Sequence, residues 1–154
     1  MTDVLDHYGH AFVSAIPNEQ LAQQVPAAFS EHAADTTGPA YVFISTKQLI
    51  DALHEAGFVA TQARQATSRC SQPAYARHLL RFQPRRQAVT LVDAIPQIVL
   101  INSHDGRSAY QLRAGLLRPI CTNGLLTRLG DFGLIHVAHR GNVVEHVVDA
   151  ALTL

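Results

Sequence analysis

The stretch at residues 96–126 constrains the fold most, because it has the pattern of an antiparallel hairpin. Residues 98–101, Ile-Val-Leu-Ile, are typical of a strand that is covered on both faces. Asp105-Gly106 predicts a tight turn, since this dipeptide readily adopts the positive φ angles of a two-residue hairpin loop. From residue 110 onward apolar and polar residues alternate, as in a strand with one buried face. The middle of the chain therefore predicts an antiparallel sheet.

The segment before it predicts a strand, a helix and a second strand. Residues 40–44 have the composition of a strand. Ser45, with Gln48 three residues later, has the spacing of a helix N-cap. Gly57 lies where a left-handed residue would end that helix, and residues 58–64 are predicted to return as a strand.

Residues 75–83 alternate again and predict a strand with one basic face. The residues expected on its buried face are Ala76, His78, Leu80 and Phe82. Those expected on the opposite face are Tyr75, Arg77, Leu79 and Arg81. Cations beside an aromatic ring are the ingredients of a surface that binds single-stranded nucleic acid. The simpler alternative is the solvated outer face that most antiparallel sheets have.

Together these segments predict one α+β domain, with an antiparallel sheet of about five or six strands. Helices at residues 46–56 and 142–154 are expected to pack against the sheet, and Asn18 is predicted to cap a short first helix. Residues 1–17 are expected to be a disordered or helical N-terminal segment, and residues 18–154 to form the domain. The last helix ends while still apolar, which indicates a chain shortened at its C-terminus or one that docks its tail.

Charge is strongly segregated along the sequence, although the chain is neutral overall. Residues 1–60 hold one base and seven acids, whereas residues 61–128 hold ten arginines, two acids and no lysine. Guanidinium groups suit phosphate oxygens and base stacking better than ammonium groups do. Two interpretations stay open: the arginines pair with the acids of the first third, or they bind an anionic partner. The candidates for nucleic-acid contacts are Arg77, Arg81, Arg85, Arg86, Arg107, Arg113 and Tyr75.

Patterns for catalysis and for metal binding are weak. His136 and His139 are three apart on a predicted strand, so they would face opposite sides and could not readily share an ion. No metal site and no cofactor is predicted, since no metal-ligand spacing and no phosphate-binding loop occurs. A nucleophilic site would combine Cys121 with His104 or His136 as the base, beside Asp105. Packing of a small buried cysteine is the alternative, so binding is favoured over catalysis and enzymatic activity stays open.

The cellular setting is read from the apolar runs, the N-terminus and the cysteines. No apolar run approaches the ~20 residues that span a bilayer, and the first ten residues do not resemble a secretory signal. Cys70 and Cys121 are expected to be free thiols in a reducing compartment. A cytoplasmic protein without a membrane partner is therefore expected.

Several sequence runs resemble one family. They are YVFIST at residues 41–46, HLLRF at 78–82, NSHDG at 102–106, CTNGL at 121–125 and HRG at 139–141. On these runs the chain is similar to the phage- and plasmid-related family known as domain of unknown function 932. The resemblance implies a cytoplasmic protein of a mobile element, whose relatives continue past this C-terminus. It implies no established reaction or ligand.

Three functional hypotheses follow. The first is non-enzymatic binding of nucleic acid, single-stranded DNA above all, in recombination or replication. The alternative is an interaction protein that self-assembles as a homo-oligomer or binds a host factor, using the apolar face of residues 143–152 and the acidic first third. The third is a small enzyme that uses the turn at residues 102–105 with Cys121.

Overall fold

The computed structural model describes residues 10–67, 72–88, 95–108, 110–119 and 126–136. Its strands and helices, in chain order, are β1 (His10–Phe12), α1 (Asn18–Gln24), α2 (Thr46–Glu55), β2 (Phe58–Gln65), β3 (His78–Pro84), β4 (Arg86–Ala88), β5 (Ile95–Asn102), β6 (Gln111–Pro119) and β7 (Leu126–His136). Short 3-10 turns lie at Pro26–Phe29 and Pro73–Tyr75. These elements form one helical layer and one antiparallel sheet, so the predicted α+β class is confirmed.

The sheet is antiparallel throughout, in the order β2-β3-β5-β6-β7. Among the described side chains, four strands, β2, β3, β5 and β6, contribute to the core, against the five or six strands expected from the sequence. Only β7, described by its backbone pairing with β6 at the edge, brings the hydrogen-bonded order to five. Strands β1 and β4 form a separate two-stranded ribbon.

The core lies between the two helices and one face of the sheet. Alternation on β3 is as predicted, because Ala76, His78, Leu80 and Phe82 are all at most 2% exposed. The side chains that complete this core are Leu21, Val25, Ala28, Ile44, Leu49, Ile50, Leu53, Phe58, Ala60, Ile98, Leu100, Tyr110 and Leu112. Removing this apolar surface from water is the main force that holds the two layers together.

Helix α2 begins and ends where the sequence predicts. The hydroxyl of Ser45 accepts a hydrogen bond from the backbone N–H of Gln48 (3.2 Å), which satisfies one of the free donors of the first turn. Gly57 follows the last turn with a φ of 89°, a value that costs an L side chain energy. The predicted N-cap at Ser45 and the predicted left-handed glycine after the helix are therefore both confirmed.

Two predictions upstream of the sheet are wrong. Residues 40–44 form no strand, because their polar groups bond to turns and side chains: the backbone N–H of Tyr41 donates to Gly38, and the carbonyl of Ile44 accepts from Asn102. Asn18 is the first residue of α1 and does not cap it; the N-cap is Pro17, with no side-chain hydrogen bond.

The predicted tight turn at Asp105-Gly106 is also wrong. Strand β5 ends at Asn102 and β6 begins at Gln111, so the connection is a loop of residues 103–110. Among the described residues only Gly57 and Gly106 have positive φ, whereas a two-residue hairpin of this kind needs it at both central positions. The loop is held open because its backbone docks elsewhere: His104 donates to Tyr75 and accepts from Ala34 (3.1 and 2.8 Å).

Some predictions concern residues outside the described ranges. The helix at residues 142–154, the apolar face of residues 143–152, Cys70, Cys121 and His139 all lie there, as do residues 1–9 of the N-terminal segment. Within the ranges that are described, no helix has the length and apolar character needed to cross a bilayer.

Replacing Gly57 by alanine is expected to lower the free energy of unfolding by about 1–2 kcal/mol. The cost is conformational, because a Cβ at this position would meet no atom within 4 Å. Chemical denaturation of the variant and the wild type measures the difference. Gly38→Ala is the matched control, since Gly38 has equally open surroundings but no positive φ, and it should change stability much less. Equal effects of the two substitutions would contradict this account.

Candidate functional site

The face of the sheet opposite the core carries arginines, and a β-bulge in β2 places one of them there. Ala60 pairs with buried Phe82 and therefore faces the core. The register then shifts between residues 60 and 62, so that Arg64 pairs with Leu79 on the outer face. Without the extra residue, Arg64 would keep the phase of Ala60 and point toward the core.

Arg81 and Arg113 lie on the same outer face. Arg81 pairs with Val99 of β5, and Val99 pairs with Arg113 of β6, so the two arginines flank one apolar residue. Arg64 is diagonal to Arg81, about 7–8 Å away between Cα atoms. Burial, and then the positive charge of Arg64, lower the pKa of the Arg81 guanidinium. The fold thus holds like charges close together on this face.

Arg77, which comes just before the first residue of β3, extends this group. Its carbonyl accepts a hydrogen bond from the backbone N–H of Ala66 (2.8 Å), which continues the pairing of β2 with β3 by one step. Arg77 is two residues before Leu79, so it lies diagonal to Arg64 on the side away from Arg81. We call Arg64, Arg77, Arg81 and Arg113 the arginine face. Within the described residues, no carboxylate forms an ion pair with Arg64, Arg77 or Arg113.

Two other predicted arginines, Arg85 and Arg86, lie at the far end of β3. The backbone N–H of Arg85 donates to the carbonyl of Gly57 (2.8 Å), at the start of β2, and Arg86 begins β4. Burial lowers the pKa of His54 on α2, and the positive charge of Arg85 acts in the same direction. Arg85 therefore lies near the helical layer and not on the arginine face.

Tyr75 and Arg107, also predicted as contacts, border a different hollow. Tyr75 is in the 3-10 turn before β3, where its hydroxyl contacts the Nε2 atom of His32 at 3.0 Å. Arg107 is exposed on the loop of residues 103–110. The hollow, of about 200 Å³, is lined by Ala34, Asp35, Thr36, Gln72, Tyr75, Asp105 and Arg107. The sequence candidates are thus divided among three places.

Two of the candidates for catalysis, His104 and Asp105, make contacts within the fold. His104 is fully buried, with its ring centroid 4.8 Å from that of Phe43. One oxygen of Asp105 accepts hydrogen bonds from the hydroxyl of Ser103 and the backbone N–H of Arg107 (2.8 and 3.0 Å). Cys121 lies outside the described residues, and the side chain of His136 is not described.

A buried chain of hydrogen bonds supports the arginine face from behind. Nδ1 of His78 donates to the carbonyl of Ala76 (3.0 Å), so Nε2 of the neutral ring accepts from the Thr46 hydroxyl (2.9 Å). The Thr46 oxygen in turn accepts from the amide of Asn102, which also donates to the carbonyl of Ile44 (3.1 and 3.2 Å). This chain joins the start of α2 to β3 and β5 at the residues next to the outer face.

A metal ion would need several ligating side chains close together. In the described portion of the chain, no group of three or more histidine, cysteine, aspartate or glutamate side chains is arranged to bind one.

Comparison with known proteins identifies the family. The sequence matches the family model described as "Domain of unknown function (DUF932)" over residues 33–154. The chain belongs to this family. Two relatives from Escherichia coli (strain K12), "UPF0380 protein YafZ" and "UPF0380 protein YfjQ", are each 36% identical to it over 137 and 139 residues. These alignments cover 88% of the chain and 49% of each relative, so the chain spans about half the length of these curated relatives. No solved structure matches it.

The resemblance in the sequence motifs is thus confirmed. One residue of the arginine face, Arg64, is not among the residues that the sequence predicts as contacts, because simple alternation from the buried start of β2 gives it the wrong face. The polar composition of residues 61–65, Thr-Gln-Ala-Arg-Gln, was the only signal available in the sequence.

Thr46→Val is expected to destabilise this DUF932 domain by about 2–3 kcal/mol, because it leaves Nε2 of His78 and one N–H of Asn102 without partners. Thr46→Ser is the matched control: it keeps the hydroxyl, loses one methyl group, and should cost about 1 kcal/mol. Denaturant unfolding of both variants measures the difference. If valine is tolerated as well as serine, the hydrogen-bond chain is not what stabilises the junction of α2 with β3 and β5.

The stability of the domain should also depend on pH through His78. Burial lowers its pKa from 6.5 to about 4, while the hydrogen bond to Ala76 acts in the opposite direction. Between these values the unfolded histidine binds a proton that the folded one does not, so the free energy of unfolding should rise from pH 4 to 6.5 and then level off. Urea titrations across this range test it. His78→Gln should flatten the rise; an unchanged slope would exclude His78 as its source.

Proposed function

We propose that this domain binds nucleic acid through the arginine face. The observation that carries the proposal is the arrangement of Arg64, Arg77, Arg81 and Arg113 on the outer side of one sheet, next to the half-buried side chains Leu79, Val99 and Ile101. Adjacent strands are about 4.8 Å apart, so Arg81 and Arg113 lie about 10 Å apart across the sheet. Such a surface can contact successive phosphates while the chain of sugars and bases crosses the strands.

Electrostatics support an anionic ligand. Arg64 and Arg81 repel each other, which is the reason that charge contributes to the lowered pKa of Arg81. A phosphate placed between two guanidinium groups would relieve that repulsion and accept hydrogen bonds from both. The absence of lysine among residues 61–128 agrees with this, because the planar guanidinium binds phosphate oxygens in pairs.

The ligand is expected to be a single strand rather than a duplex. The described part of this face consists of paired strands, and its half-buried apolar residues can contact exposed bases. Tyr75, the ring predicted to stack, lies at the hollow beside the loop of residues 103–110 and not on this face. Base contacts on this face would therefore come from aliphatic side chains. A role in replication or recombination of a mobile element is part of the proposal and rests on the motif resemblance.

The alternative interaction-protein function depends on the apolar face of residues 143–152, outside the described ranges, and stays a prediction. It makes a distinct demand, since self-assembly should be visible without any nucleic acid. Sedimentation of the free protein would separate the two functions.

Labelled single-stranded DNA should bind at low salt, and the affinity should fall steeply as salt is added. With about four phosphates neutralised, the logarithm of the binding constant should change with the logarithm of salt concentration with a slope of about −3. Each substitution Arg64→Gln or Arg113→Gln should weaken binding and make the slope less negative by about 0.7, because one fewer counterion-releasing contact is made. Fluorescence anisotropy at several salt concentrations gives both quantities.

The matched controls are Arg85→Gln and Arg107→Gln, which remove the same charge from other parts of the molecule. They should leave the slope close to that of the wild type. No binding of single strands at low salt would refute the proposal. A larger loss in the Arg85 or Arg107 variant than in the Arg64 variant would move the interface away from the outer face of the sheet.

A further inference from the structure

We infer that a hollow at the end of the arginine face binds a terminal phosphate monoester of a nucleic-acid strand, together with the base of that last nucleotide. This inference rests on the proposed function and names the part of the strand that this hollow receives. The hollow has a volume of about 270 Å³ and is lined by Arg64, Gln65, Ala66, Arg77, His78, Leu79 and Ile101.

The two charged members of the lining lie on adjacent sides of an apolar floor. Leu79 of β3 pairs directly with Ile101 of β5, so their half-buried side chains are neighbours on the outer face. Arg64 borders this pair from β2, since it is opposite Leu79. Arg77 borders it from the position just before the first residue of β3. The Cα atoms of the two arginines are about 7–8 Å apart, close enough for both guanidinium groups to reach one phosphate.

The volume restricts what the hollow can hold. Pockets for small ligands begin at roughly 300 Å³, so this one suits a single nucleotide and not a folded nucleic-acid element. An apolar floor with charge at its border matches the two halves of a nucleotide, whose base is largely apolar on its faces and whose phosphate is anionic.

Charge favours the end of a strand over its interior. A phosphate monoester carries about −1.5 to −2 charges at pH 7, whereas each internal diester carries one. Arg64 and Arg77 are both exposed, and neither has an ion-pair partner among the described residues. Two cations without a carboxylate between them therefore stabilise the doubly charged group more than the singly charged one.

The backbone around the hollow is fixed before a ligand arrives. The carbonyl of Arg77 accepts from Ala66, which closes the end of the β2–β3 pair. Behind the floor, His78 and Asn102 are held by the buried chain through Thr46, and they are the direct neighbours of Leu79 and Ile101 in sequence. A hollow built on paired strands loses little conformational entropy on binding.

The test compares four short single strands of one sequence: with a 5′-phosphate, with a 3′-phosphate, without a terminal phosphate, and circular. We expect either the 5′-phosphorylated or the 3′-phosphorylated strand to bind the wild-type domain about three- to tenfold more tightly than the unphosphorylated linear strand. Arg77→Gln and Arg64→Gln should abolish this preference. Arg113→Gln should weaken binding of all four strands and keep the preference, because Arg113 lies across the sheet from the hollow.

A nucleoside monophosphate, the matching nucleoside and inorganic phosphate separate this inference from the proposed function. The monophosphate should shift amide resonances of residues around Leu79 more than either of the other two, and Leu79→Ala should reduce its advantage over inorganic phosphate. Equal affinity for phosphorylated and unphosphorylated strands would overturn the inference while leaving strand binding intact. Binding of the monophosphate without binding of any strand would support a nucleotide site in the hollow but would refute the broader strand-binding interface.

Discussion

The hydrogen bond between Thr46 and His78 sets the position of the helical layer, which apolar burial holds against the sheet. It joins the first turn of the helix α2 to the first residue of β3, and Asn102 extends it to the last residue of β5. These are three elements far apart in sequence, so the bond fixes the helical layer over the sheet at one defined position. Its groups are all buried, and each of them is satisfied, which makes it stabilising where an incomplete network would be costly.

The same chain of hydrogen bonds lies directly behind the outer face of the sheet, where the arginines are. Leu79 and Ile101 follow and precede the bonded residues His78 and Asn102, and they alternate onto the outer face. Arg64 and Arg81 are brought near each other on that face, where the charge of Arg64 adds to burial in lowering the pKa of Arg81.

The loop of residues 103–110 shows how tertiary contacts override a local turn signal. Asp105-Gly106 favours a two-residue turn, but three interactions draw the loop away from that geometry. His104 is bonded through its backbone to Ala34 and Tyr75, and the hydroxyl of Tyr41 donates to the carbonyl of Ser103 (3.0 Å). Burial, and then the charge of Asp105, raise the pKa of Tyr41 to about 12, so this hydroxyl remains a donor. Asp105 itself accepts hydrogen bonds from Ser103 and Arg107 of the same loop.

The sequence by itself determined the elements whose signals are local. The cap at Ser45, the left-handed Gly57, the alternation of β3 and the family membership all follow from residue types at short spacings. Propensity misassigned residues 40–44, because an extended apolar segment becomes a strand only if a neighbouring strand offers its hydrogen bonds.

Only the tertiary structure decided which arginines share a surface. The positive charge of the middle third was visible in the sequence, but its candidates proved to lie on the outer face, at the end of β3 and beside the loop hollow. Arg64 joined the first group through a bulge of one residue, which inverts every side chain after it. A bulge leaves no mark in an alternation pattern, because it depends on how β2 pairs with β3 and not on the residues of β2 alone.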